Sequence, residues 1–287
     1  MKPKKILLLG CGDIGGALAT NLLAAGHQVL AVRRDLSRLP PAVPGLSLDY
    51  RSDRELVQLS GAEFDLALWT PTPARGEADA YEQGFLHPAR ALLKAWPGIA
   101  RGLVMVSSTR VYGEHDGGWV SAETPPAPLD AAAQSIVAAE QLLLDSPHSV
   151  SVVRFSGIYG RWPSRLIERL QRGEVCAAVP PRFSNRIHRE DCLGCLQHLL
   201  EMEQRAPVYL ASDSMPVLQR EMEEWLLETL GVKIKSEQAA TRGSSRRCDN
   251  SLLLESGYSL RYPDYQSGYR AMINSTSMST PRGRAAT

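Results

Sequence analysis

The chain has 287 residues, 32 Lys and Arg against 31 Asp and Glu, and a formal net charge of +1. That length suits one large or two closely joined domains with a sizeable core, and so even a charge gives no general reason to expect nucleic acid or an anionic membrane as partner. Five scattered cysteines, an odd number, speak against a disulfide framework and for a reducing compartment.

The opening MKPKKILLLG has a basic patch, but its apolar run stops at Gly10 with no small-residue cleavage site. No apolar stretch approaches the roughly 20 residues of a membrane span. The expectation is a soluble cytoplasmic protein whose partner is a small-molecule substrate, with a homodimer left open. Lys4 to Leu9 reads as a strand buried on both faces. It runs into Gly10-Cys11-Gly12-Asp13-Ile14-Gly15-Gly16, and then Ile14, Leu18 and Leu22 recur at helical spacing up to Gly26. His27 to Val32 is a second apolar strand. A GxGxxG between strand and helix within one βαβ unit is the fingerprint of a dinucleotide site. Gly10 permits the tight turn, Gly12 lets backbone approach a pyrophosphate, and Gly15 lets helix and strand pack closely. The helix N-terminus, with Asp13 and Ile14, presents N–H groups to the phosphates.

The second strand ends in Arg33-Arg34, where an NAD site usually carries Asp or Glu for the ribose hydroxyls. Guanidinium groups suit a 2′-phosphate, so NADP is the expected cofactor and NAD the alternative. Phe64–Trp69 reads as a strand leading to Thr70-Pro71, Tyr81–Trp96 as a helix that Pro88 should kink or divide, and Gly102–Val106 as a strand leading into Ser107-Ser108-Thr109. Asp130–Leu144 reads as a helix, Ser149–Phe155 as a strand, and Val208–Ala211 as the last strand. This spacing predicts an alternating α/β fold. Residues 1–159 form the dinucleotide domain, rejoined by 187–212, while 160–186 and 213–274 make a small substrate-side lobe. Pro216–Gly231 is an amphipathic helix in that lobe, and 275–287 should be a disordered tail.

Four stretches then carry a resemblance: GCGDIGG, Val106-Ser107-Ser108-Thr109-Arg110-Val111-Tyr112-Gly113, Arg154-Phe155-Ser156-Gly157-Ile158-Tyr159-Gly160, and Ile187-His188-Arg189-Glu190-Asp191. In this order the chain, from Lys4 to about Tyr269, resembles the short-chain dehydrogenase/reductase superfamily. Within it, the likeness is to the extended and atypical branch of NAD-dependent epimerase/dehydratase proteins. The resemblance implies an α/β fold with a Rossmann-type doubly wound parallel sheet of about seven strands in the order 3-2-1-4-5-6-7, with cofactor over their carboxyl ends and substrate between sheet and C-terminal lobe. It implies that Ser108 hydrogen-bonds the reacting oxygen, that Tyr159 lines the nicotinamide pocket, and that Trp69, Thr70, Pro71 and Ser107 border the cofactor.

Such enzymes usually carry Tyr-x-x-x-Lys on the helix after SSxxVYG. Here no tyrosine stands between Tyr112 and Tyr159, and no lysine between Lys94 and Lys233. If Glu140 matches the family's glutamate, Ala132 and Ile136 take the two positions; counted from Glu123, Gln134 and Ala138 do. Proton handling would then fall to Ser108, Thr109, Tyr112, Tyr159 or His188, in an oxidoreductase or epimerase; the other reading is a non-catalytic NADP-binding regulator. Cys192-Leu193-Gly194-Cys195 with His188 and His198 lies along one helix, so no metal site is expected. Asp191 should cap that helix. Arg161, Arg165 and Arg186 suit an anionic substrate, and Ser244, Arg246, Arg247 and Asn250 form a polar cluster near the site.

Overall fold

The computed structural model describes residues 2–76, 79–113, 115–162, 164–239 and 245–279. Six apolar runs become the strands β1 (Lys5–Leu9), β2 (Gln28–Val32), β4 (Leu66–Trp69), β5 (Gly102–Ser108), β6 (Ser149–Phe155) and β7 (Val208–Ala211), and they are joined by the two-residue strand β3 (Gly45–Leu46), which no apolar run in the sequence announced. They form one parallel seven-stranded sheet in the spatial order β3-β2-β1-β4-β5-β6-β7. The order reverses beside β1, the crevice where open α/β sheets bind ligands. The register aligns Leu9 with Val32 and Trp69, and Phe155 with Ser108 and Ala211, so the residues after each strand share one edge.

Helices cover both faces because the strands are apolar on both. One face packs Trp69, Phe85, Trp96, Tyr112 and Ile136 together. The other buries Leu18 and Leu22 of α1 (Asp13–Ala24) against Cys192, Leu196 and Leu199. The helix is not divided at Pro88: the five-residue π-helical stretch Glu82–Leu86 runs directly into α2 (His87–Ala95), Leu86 and His87 keep right-handed helical dihedrals, and the proline is the second residue of α2, just after the π-helical turn. On α3 (Ala131–Leu144), capped by Asp130, Ile136 and Glu140 are buried and Ala132 half-buried, whereas Gln134 is exposed.

The lobe has its own core, Ile167, Leu170, Met222, Leu226, Tyr265 and Tyr269, with Tyr159 packed into it. It is built from α4 (Arg165–Gln171), α6 (Gln219–Leu230), α7 (Tyr265–Ser279) and short strand pairs. Residues 275–279, expected in a disordered tail, continue α7 as helix; 280–287 lie outside the described residues. A second correction concerns α5 (Arg189–Glu201). Its cap is His188, whose side chain accepts the Glu190 N–H, not Asp191. Asp191 lies in the first turn, wholly buried, and accepts the N–H groups of Arg261 and Tyr262 and the Tyr258 hydroxyl. Its carboxylate pins the C-terminal segment to the sheet domain. Among the described residues no helix is long and apolar enough to cross a membrane.

Candidate functional site

The glycine loop forms at the crevice. Gly10 has φ +89°, and a Cβ there would stand 2.8 Å from the Thr70 carbonyl oxygen, so only glycine fits. Gly12 has an ordinary φ of −79°, and a Cβ on it would meet only the Gly10 oxygen, at 4.0 Å. Crowding does not require glycine there; the exposed backbone leaves room for a ligand to approach. Gly12 caps α1 without a side chain, leaving the first-turn N–H groups of Asp13, Ile14 and Gly15 without a side-chain acceptor from the cap. Cys11 is buried and burial pushes its thiol up to about 11, which fits packing.

A cleft of about 350 Å³ runs from this loop past Arg33, Arg34, Asp49, Tyr50 and Thr70 to Thr72–Arg75. Arg33 is half-buried and donates from Nη1 to the Cys11 carbonyl at 2.7 Å. Arg34 is 70% exposed and stands 3.8 Å from Asp49, whose carboxylate is bound by Arg51 at 2.7 Å. Asp35 accepts the N–H and hydroxyl of Ser37, so it is spent on its own turn. Of the stretch 69–71, Thr70 lines the cleft and donates to the Gly10 carbonyl. Trp69 is wholly buried edge-on to Tyr50 and Pro71 is buried, so their side chains do not line it. The lining after them, Thr72 to Arg75, carries no motif by which the sequence would announce it. A wider adjoining space of about 970 Å³ is rimmed by Arg33, Arg34, Arg38, Arg75, Arg161 and Arg189.

Beside the loop, Ser107 is buried and donates its hydroxyl to Glu140. Glu140 also takes Arg154 at 2.7 Å, both side chains being at most 4% exposed. Arg154 in turn donates to the Tyr112 hydroxyl at 3.0 Å, which donates to the Ser121 carbonyl at 2.6 Å. Ser107 and Tyr112 are therefore held within a buried network, and burial pushes the Tyr112 phenol up. Ser108, at the tip of β5, is half-buried; its oxygen accepts the Arg110 N–H at 3.2 Å, leaving its proton to be donated. Thr109 is buried beside it.

Tyr159 and His188 are brought together, being register partners in a short parallel pair, with rings 5.1 Å apart. His188 Nδ1 accepts the Glu190 N–H at 3.2 Å, and burial lowers its pKa to about 4, so it is neutral near pH 7 with its proton on Nε2. Tyr159 stacks on Tyr269 at 4.3 Å. Its hydroxyl is aimed at Gly268, where a Cβ would overlap it, and burial pushes the phenol far up. A pocket of about 290 Å³ lies between Tyr159, Tyr269, Arg161, Arg165, Arg186 and the start of α1. Asp213, two residues beyond β7, was not singled out from the sequence. It is 1% exposed, and burial drives its pKa up to about 8. Its position just past an apolar strand was the available signal.

The polar cluster is spent on structure: Arg247 donates to the Gly117 carbonyl at 2.7 Å and Asn250 to that of Ser212 at 2.8 Å, while the Arg246 carbonyl accepts from Asn185. Ser244 lies outside the described residues. Cys192 and Cys195 are buried in the core, where burial raises both thiols, and His198 hydrogen-bonds Ser256.

The family model of NADP oxidoreductases, coenzyme F420-dependent, matches residues 5–60, the βαβ unit with the glycine loop. No curated protein sequence matches the chain. A protein of Methylobacillus flagellatus described as an NAD-dependent epimerase/dehydratase superposes with a TM-score of 0.81 at 29% identity, covering 96% of this chain and 100% of its own. A UDP-glucuronic acid 4-epimerase from Bacillus cereus, solved with UDP-glucuronic acid and NAD, gives 0.79 at 17%, covering 96% and 99%. MoeE5, solved with UDP-glucose and NAD, gives 0.77 at 23%, covering 96% and 99%. The last two likenesses are of fold. The superposition extends along almost the whole chain, which has the Rossmann-type fold of the NAD-dependent epimerase/dehydratase proteins.

Proposed function

We propose that this protein binds a nicotinamide dinucleotide, NADP in preference to NAD, and acts as an oxidoreductase or epimerase on a small anionic molecule. The observation that carries the cofactor reading is the end of β2. Arg33 and Arg34 line the cleft where an NAD site keeps a carboxylate, and the nearby Asp35 and Asp49 are already engaged by Ser37 and Arg51. The cradle fits the group: a glycine with open space above it, a helix start with free N–H groups, and arginines at the adenosine end. The neighbours solved with NAD support the dinucleotide class. When bound, the nicotinamide supplies hydride transfer. Ser108 orients the substrate oxygen through its free hydroxyl proton, and Arg165 and Arg186 line the pocket beyond Tyr159 for an anionic group.

A second reading, a dinucleotide-binding regulator without turnover, is favoured by α3. Ala132 and Ile136 stand on its inward face, four residues apart and ending at Glu140, with no phenol or ammonium group. Turnover of NADPH with a panel of aldehydes, ketones, imines and nucleotide sugars separates the two. The cofactor reading has its own test. Arg33→Asp with Arg34→Ala should weaken NADP binding far more than NAD, by ~10–100-fold if two charge-assisted contacts to the 2′-phosphate are lost. Equal losses for both cofactors would remove the argument for phosphate recognition.

A further inference from the structure

Asp13 is out of place for an anion site. It sits in the first turn of α1, beside the N–H groups that would receive a diphosphate, and its carboxylate would repel one. Two guanidinium groups converge on it from the far half of the chain. Arg161, after the Tyr159 strand, donates from Nε at 2.8 Å and also pairs through Nη2. Arg189, the first residue of α5, donates from Nε at 3.1 Å and from Nη2 at 3.3 Å, and its Nη1 holds Glu190. Partial burial raises the Asp13 pKa, but these two partners outweigh it and hold the carboxyl below its usual range. Both arginines face the same arginine-rimmed space as Gly12.

Arg161 is 68% exposed and Asp13 is 39% exposed, so their ion pair contributes little to folding. Yet it places positive charge within reach of the phosphate-binding turn. Arg161 Nη1 has no role in the pair, and a guanidinium carries five donors, enough to bridge a carboxylate and a phosphate oxygen.

We propose that Arg161 and Arg189 are a clamp for the diphosphate of the dinucleotide, held in position by Asp13 until the ligand's phosphates displace that carboxylate. The proposal rests on the dinucleotide reading. Asp13 acts as an internal anion: it keeps the two side chains ordered over the turn and competes with the ligand for them. Because the arginines belong to elements that join the lobe to the sheet, ligand binding would fasten the loop after Tyr159 and the start of α5 onto the cofactor.

The test is calorimetric titration of the full chain with NADPH, and with 2′-AMP as a probe of the adenosine end alone. Arg161→Ala, at an exposed site, should bind NADPH ~10-fold more weakly, and R161A/R189A ~100-fold, from the loss of one and two charge-assisted contacts. Their 2′-AMP affinity should stay that of the wild type. Asp13→Asn should bind NADPH several-fold more tightly, since the competitor is gone. The clamp is overturned if R161A binds NADPH like the wild type, or if D13N weakens binding as the arginine variants do. A wild-type chain that binds neither NADPH nor NADH would overturn the dinucleotide reading itself, and the clamp with it. Thermal melting of each variant shows that a changed affinity is not a loss of fold.

Discussion

Replacing Asp213 by Asn isolates one buried carboxyl. Its Oδ1 accepts the Met215 N–H at 3.2 Å, while its Oδ2 is buried with no hydrogen-bond partner among the described residues. Burial drives the pKa up to about 8, against the Met215 N–H and the Arg186 charge, and with Asp264 and Asp191 adding to the rise. In the unfolded chain the group titrates near 3.9, as an ordinary Asp does. Between those values the folded state holds a proton that the unfolded state has released. Stability therefore falls as pH rises through this window and levels off above about 8. Each pH unit of the gap corresponds to ~1.4 kcal/mol, so the loss reaches at most ~6 kcal/mol. Asparagine keeps the Oδ1 acceptor and carries no charge. The stability of Asp213→Asn relative to the wild type should thus climb by several kcal/mol from about pH 4 to about pH 8. Any fixed cost of the amide cancels in that slope. Urea unfolding of both proteins across the range measures it. A difference that is flat with pH, or that falls, would refute the assignment of a neutral carboxyl to this site.

Two further outcomes follow from the same reasoning. Gly10→Ala forces a side chain into φ +89° and puts its Cβ 2.8 Å from the Thr70 oxygen. It should cost about 1–3 kcal/mol in denaturant unfolding and abolish calorimetric binding of NADPH. Glu140→Ala leaves the Arg154 charge buried without its partner and should destabilise by about 3–5 kcal/mol. The double replacement by Leu and Met should unfold at denaturant concentrations much nearer the wild type's, as measured side by side.

The fold was legible because its signals are local. Lys5–Leu9 and Gln28–Val32 are apolar on both faces, and the glycine loop joins them through a helix. Where local pattern misled, a distant contact decided. Asp191 reads as a cap from its neighbours, yet its carboxylate serves Arg261 and Tyr262, 70 and 71 residues away. Tyr159 lines a pocket, but where its hydroxyl goes is decided by Gly268 on α7, which leaves the gap that the hydroxyl fills. Trp69 stands at the right place in the chain, but strand alternation turns its ring into the core.

By itself, then, the order of residues determined the alternation of strands and helices and the turn where phosphates would rest, while the order of the strands across the sheet was an implication of the family resemblance. Periodicity states which face of an element is apolar, and a glycine states where backbone must bend. Only the tertiary structure decided which charges meet: Asp13 with Arg161 and Arg189, Glu140 with Arg154, and Asp213 with no hydrogen-bond partner at its second oxygen among the described residues. Those encounters join residues far apart in the chain, and nothing in either residue's local pattern specifies its partner. Burial and opposite charge do so once the chain has closed.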